Sequence, residues 1–136
     1  MTHRLLSYVI AGILAVSGVT KLVDPGNTLK FIKSMGLIPL VAILPLLSLV
    51  TALELQLAVL AAFRIHLHYT SFIVMLLFGG FFLISLGALV TGMRIDCGCF
   101  GPLSFADVGW PMVVRNGVFW IFGIIFYYKL RKSARY

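Results

Sequence analysis

Cys97-Gly98-Cys99 places the only two cysteines of this sequence one residue apart. A disulfide between them would close a very small ring. Such a ring departs from relaxed S–S geometry, so it is strained and easily reduced. Gly98 supplies the backbone freedom that closure needs. Three readings suit the pair: cycling between dithiol and disulfide with a partner, binding a soft metal such as Cu(I), Hg(II) or Zn(II) through thiolates, or an inert, structural role. Disulfide stabilisation grows with the length of loop closed, and this loop is minimal, so a structural role is poorly motivated. A closed metal site needs further ligands, and no histidine stands in the surrounding stretch, Gly92 to Trp110. The expectation is therefore redox chemistry at Cys97 and Cys99 and no metal site, with the two thiols as soft-metal ligands in the alternative. Arg94 would favour the thiolate and Asp96 would oppose it, and nothing in the sequence decides which cysteine attacks first.

The elements that must position this pair are membrane helices. Of 136 residues, 61% are hydrophobic and 11% charged, and the mean hydropathy is +1.08. Soluble domains carry about 25% charged residues, so the solvent for most of this chain is lipid. Spans are expected at about 5–23, 44–63, 69–90 and 111–128, an all-α antiparallel bundle with no room for a soluble domain. The first apolar run reaches Val19, longer than the core of a typical signal peptide, and is read as a span. Asp24-Pro25-Gly26-Asn27 breaks the chain after it. Asn27 or Thr28 then caps a short interfacial helix ending near Gly36, with Leu29, Ile32 and Gly36 on one face. Pro45 marks a start or kink of the second span. Gly79, Gly80, Ser85 and Gly87 suit close helix approach in the third. Ser104-x-x-Asp107 resembles a capping signal for one helical turn in the loop before the fourth.

The net charge of +7 would raise nucleic-acid binding in a soluble protein. Here the basic residues cluster at span ends and in the tail, the pattern that orients helices, so no nucleic-acid partner is expected. Arg4, Arg64, Lys129, Arg131, Lys132 and Arg135 share the side of the termini, with no acid. Lys21, Lys30, Lys33, Arg94 and Arg115 share the other with Asp24, Asp96 and Asp107. This bias puts the termini in the cytoplasm and the cysteine loop outside the cell (inner) membrane, where disulfides persist. Tyr8, Tyr69, Tyr127 and Tyr128 near one face and Trp110 near the other fit aromatic belts.

Polar residues inside the spans are the second set of candidates. Glu54 is the only acid within a span, about 15 Å deep for a helix starting at Leu44. It is either a functional group or a structural partner of Lys21, Arg115, Ser17 or Gln56. Because Lys21 and Arg115 lie near the outer face, pairing with either demands a long reach or a kink at Pro45. Arg115-Asn116 snorkels outward or turns inward to hold the cysteine loop or an anion. Lys21, with Ser17 and Asp24 on its face, invites the same two readings. Two cysteines make one redox pair on one side of the membrane. Electrons must then pass laterally to another protein or into a lipid-soluble carrier such as a quinone.

SGVTKLVDP after span one, ALELQL in span two, DCGCFG after span three and VVRNGVFW opening span four resemble the methylamine utilisation protein MauE family, related to DoxX-like four-helix membrane proteins. The likeness runs over nearly the whole chain as a single transmembrane domain, and DCGCFG is its specific part. The resemblance implies thiol–disulfide exchange at Cys97 and Cys99, with a thioredoxin-like extracytoplasmic partner, in maturation of disulfide-rich exported proteins. The positions carried over are Lys21, Glu54, Asp96, Cys97, Cys99, Arg115 and Asn116. Where the family often has glycine four residues after the acid, this chain has Ala58, a departure that touches helix packing.

Overall fold

The computed structural model describes residues 2–92 and 110–135. The order of elements is α1 (Thr2–Val23), α2 (Gly26–Met35), α3 (Leu40–Ala62), α4 (Leu67–Val90) and α5 (Trp110–Ser133). Four of these, His3–Val23 within α1 and the whole of α3, α4 and α5, are long and apolar enough to cross a membrane. The expected four-span helical membrane bundle is thus the observed one, with a short helix after the first span.

Local chemistry sets the helix ends. Gly36 closes α2 in the left-handed region at φ 64°, a conformation that costs a residue bearing Cβ about 1 kcal/mol or more. Its N–H bonds the Lys33 carbonyl at 3.2 Å. At the other end of α2 the expected Asn27 or Thr28 cap is displaced: the helix starts at Gly26, whose N–H donates to Asp24 Oδ1 at 3.2 Å. Pro39, extended at ψ 142°, opens α3 four residues before the expected Leu44, and Pro45 lies inside the helix. Pro45 is the sixth residue of α3 and forfeits only its own N–H bond to the Val41 carbonyl, a local loss that does not end the helix. At its far end α5 runs past Tyr128 through the basic residues to Ser133, because hydropathy registers where lipid stops and not where a helix stops.

Two antiparallel pairs, α1 with α3 and α4 with α5, make the closest contacts. Lighter contacts of α1 with α5 and of α3 with α4 close the bundle. Its centre is a cluster of Ile10, Leu14, Leu57, Ala58, Val74, Phe78 and Phe126, so the Ala58 departure is accommodated inside the core. Many other apolar side chains, such as Leu49 and Leu83, point outward. Lipid is as apolar as they are, so they contribute little to association, and packing and hydrogen bonds must hold the helices together.

A second, smaller cluster joins Phe31 of α2 to Ala88 of α4 and Met112 of α5, with Met35 against it. The inward face of α2 is therefore Thr28 and Phe31, both buried, and not the expected stripe through Leu29, Ile32 and the exposed Gly36. The reason is tertiary: α2 is packed on the ends of α4 and α5 and does not merely lie in lipid. Those are the two ends that the Cys97–Cys99 stretch connects in the chain.

Candidate functional site

The polar residues of α1 fall at Ser17 and Lys21, one helical turn apart and therefore on one face, with Gly18 beside them. Gly18 lets α3 approach: a Cβ there would stand 2.7 Å from the Leu55 side chain. Across this gap Lys21 Nζ donates to both Glu54 carboxylate oxygens, at 2.6 Å to Oε1 and 2.8 Å to Oε2. It also donates to Ser17 Oγ at 2.9 Å, and Ser17 Oγ donates to Glu54 Oε2 at 3.2 Å. All three donors of the ammonium are used. Lys21 is 3% exposed and Glu54 0%. In low dielectric neither charge is tolerable alone, and together with Ser17 they form a closed, neutral unit.

Depth counting along each helix sets these two residues at different levels, and the register of the helices removes that obstacle. Ser7 Oγ donates to the Ala61 carbonyl at 2.6 Å, and the Ser17–Glu54 bond pins the seam nearer its other end. With those anchors α3 runs roughly two turns beyond the end of α1. Ser17 is thereby level with Glu54 well inside α3, and Lys21, one turn further along α1, reaches back a single turn to the carboxylate. No long reach is needed. Counting residues from each terminus measures depth along one helix and is blind to an axial offset between two.

Of the other expected partners, Gln56 is exposed, and Asp24 lies beyond α1 in the turn to α2. The Lys21 ammonium also stands 5.0 Å from the centre of the Phe81 ring on α4. One turn along α4, Ser85 Oγ donates to the Phe81 carbonyl at 2.7 Å and accepts a hydrogen bond from Asn116 Nδ2 of α5. Asn116 is buried, so of the two readings of Arg115-Asn116 the asparagine takes the inward one. Arg115 is half-buried, with its Nε shut off from solvent. The sequence offers Ser85 as a small residue for helix packing, and its bond to Asn116 is not readable there. The available signal is two lone polar residues in otherwise apolar spans.

Between α1, α2, α3 and α4 lies a cleft of about 350 Å³. Phe31, Leu47 and Phe81 are among its apolar walls, Thr28 and Ser85 contribute hydroxyl-bearing residues, and Lys21 is the one charged lining residue. Cys97, Cys99, Arg94 and Asp96, like Ser104 and Asp107, lie outside the described residues. Among the described residues no group of three or more histidine, cysteine, aspartate or glutamate side chains is placed to hold a metal.

A family profile, that of the methylamine utilisation protein MauE, matches residues 1–129. The chain belongs to the MauE family. As a MauE-family protein it is an integral membrane protein of the kind associated with methylamine utilisation. No curated protein and no solved structure matches it. The serine, glycine and lysine of SGVTK and the acid of ALELQL, which carry part of the resemblance, are the residues that meet across the α1–α3 seam.

Proposed function

We propose that this protein is a membrane thiol–disulfide exchange protein whose working group is the Cys97–Cys99 pair. Its partner is an extracytoplasmic thioredoxin-like protein, and its task is redox maturation of exported proteins. The observation that carries the reading is the Cys97-Gly98-Cys99 sequence itself, in a MauE-family chain that holds no other cysteine. A pair that closes only with strain gives up its disulfide readily and suits exchange more than storage.

In this reading the pair faces the outer side of the inner membrane, with the termini in the cytoplasm. One cysteine attacks or is attacked by a partner sulfur, a mixed disulfide forms, and the second cysteine resolves it. Two electrons and two protons move per cycle. Arg94 and Asp96 precede the thiols in sequence and bias thiolate formation in opposite senses. Lys21, Glu54, Ser17 and Asn116 hold the helices in the register that presents the loop. Phe31 of α2 packs with Ala88 and Met112 at the two helix ends that the loop joins, which supports a role for α2 in steadying it.

The test is mixed-disulfide trapping. The chain is reconstituted with a thioredoxin-like protein whose single reactive cysteine is supplied as its thionitrobenzoate mixed disulfide, so that thionitrobenzoate leaves when the remaining thiolate of the chain attacks. Either Cys97→Ser or Cys99→Ser should accumulate a covalent complex that reductant releases, and the double variant should give none. The reading is overturned if a Cys97→Ser chain still supports normal disulfide formation in exported clients. It is also overturned if the purified protein carries stoichiometric metal that alkylation of the thiols expels, the result that the soft-metal alternative requires.

A further inference from the structure

The outer face of the α4–α5 pair carries a trough of about 480 Å³. Gly79 and Gly80 of α4 form its floor, and at Gly80 an added Cβ would meet no atom within 4 Å. Trp120 of α5 stands against Gly79, where a Cβ would come within 2.9 Å of the indole nitrogen, and so makes one wall. Leu76 and Leu83, both exposed, edge the trough on α4. At its end stands Tyr128, which also lines a second pocket of about 270 Å³ whose other walls are Arg131, Lys132 and Arg135. The apolar trough and the basic pocket are thus continuous. Spacing along α5 is the reason. Trp120, Ile124 and Tyr128 recur every four residues, and Arg131, Lys132 and Arg135 follow Tyr128 by three, four and seven, all on one side of the helix.

The two ends of this surface suit two parts of one ligand. From Trp120 to Tyr128 the helix rises about 12 Å, close to the roughly 15 Å that one leaflet contributes to the hydrocarbon core. Tyrosine marks the level where hydrocarbon gives way to headgroups, and the three cations lie beyond it. Guanidinium groups grip phosphate oxygens through paired hydrogen bonds. The acids among the described residues are Asp24, in the turn after α1, and Glu54, bonded to Lys21, so neither neutralises these cations. A second copy of the chain is the other candidate to cover a trough floored by glycine. Two copies inserted in the same sense and joined by this face would bring their basic pockets together, and like charges repel. An anionic ligand is attracted instead.

We propose that this face binds one anionic phospholipid, with an acyl chain in the trough over Gly80 and the phosphate among Arg131, Lys132 and Arg135. A basic tail that only orients the protein attracts anionic lipid by its charge and holds no particular molecule. The trough adds a fixed place for one chain, so binding saturates. The site is at the end of α5 away from Met112, and the cysteine-bearing stretch joins the other end. It stands independently of the thiol-exchange reading.

The test uses the full chain with Trp110→Phe, which leaves Trp120 as its sole tryptophan, in phosphatidylcholine nanodiscs. Phosphatidylglycerol brominated midway along its acyl chains is titrated in, and quenching of Trp120 fluorescence is read. Expected is saturable quenching, about tenfold more effective per mole than that by phosphatidylcholine brominated at the same carbons. Unlabelled phosphatidylglycerol should reverse it and inorganic phosphate should not. Gly80→Leu, which fills the trough and spares the basic pocket, should remove the saturable component. Arg131→Gln/Lys132→Gln/Arg135→Gln should bring the two lipids to equal quenching. All three cations are exposed, so this variant keeps the test decisive should Gly80→Leu fail to fold. Lys30→Gln/Lys33→Gln, exposed on α2, should change nothing. Equal quenching by the two lipids in the parent chain, reversal by inorganic phosphate, or undiminished preference in either altered site overturns the proposal. So does a nanodisc particle holding two chains in which neither lipid reaches Trp120, the outcome in which a second copy covers the trough.

Discussion

The two long seams of the bundle are held by different physics. Where α1 meets α3, the join is polar: Ser7 to the Ala61 carbonyl, then the Lys21–Glu54–Ser17 unit, with Gly18 making room. Where α4 meets α5, the join is mostly shape. Phe82 stacks on Trp120 with ring centres 5.3 Å apart, and Phe78 lies against Phe119 at 5.9 Å. A Cβ on Gly123 would come within 3.2 Å of the Met75 backbone. A single polar contact, Asn116 to Ser85, crosses that seam among the described bonds. Both solutions answer the same difficulty, that lipid offers no hydrophobic drive for helices to associate. The polar seam concentrates its energy in one mutual neutralisation, and the packed seam spreads it over many small contacts. It follows that the first should fail sharply at one residue and the second gradually at several.

The sharpest break is Glu54→Leu, which strands the buried Lys21 ammonium. It should lower stability by about 3–5 kcal/mol, read as reversible unfolding in bicelles. Lys21→Met combined with Glu54→Leu should recover most of that loss, because the cost lies in the unpaired charge. A double variant as unstable as the single would show that the pair itself, and not its neutrality, holds α1 to α3. Next comes Gly123→Val, which wedges the α4 and α5 backbones apart and should cost about 1–3 kcal/mol. The same change at Gly80, where an added Cβ would meet no atom within 4 Å, should cost less than about 0.5 kcal/mol. Between these, Ser85→Ala should cost about 0.6 kcal/mol, the average for a hydrogen bond between membrane helices. If Ser85→Ala rivalled Glu54→Leu, the contrast between the seams would be wrong.

Legibility in the sequence follows the same division. Four spans and the Gly36 stop are readable because each is local: apolar run length for the spans, and a residue free of Cβ for the left-handed end. Boundaries are less so. The α3 start moves to Leu40 because Pro39, not Pro45, is the proline outside the helix. The inward face of α2 shifts because the helix has tertiary neighbours, which a surface helix on lipid would lack. Of the candidate site, the residue types are readable and the pairings are not. Glu54 is evident as an intramembrane acid, yet its choice of Lys21 over Arg115 depends on the axial offset of α1 and α3.

What the chain alone determined is the solvent, the number of spans and the Cys97-Gly98-Cys99 spacing of its two cysteines, since each depends on residue type and spacing along one strand of backbone. What only the tertiary structure decided is which buried charges meet, which face α2 turns inward, and that a cleft remains between α1 and α4. These depend on how far one helix slides along another. That slide is set by the few contacts that join them, Ser7 to Ala61 and Ser17 to Glu54, between residues far apart in the chain.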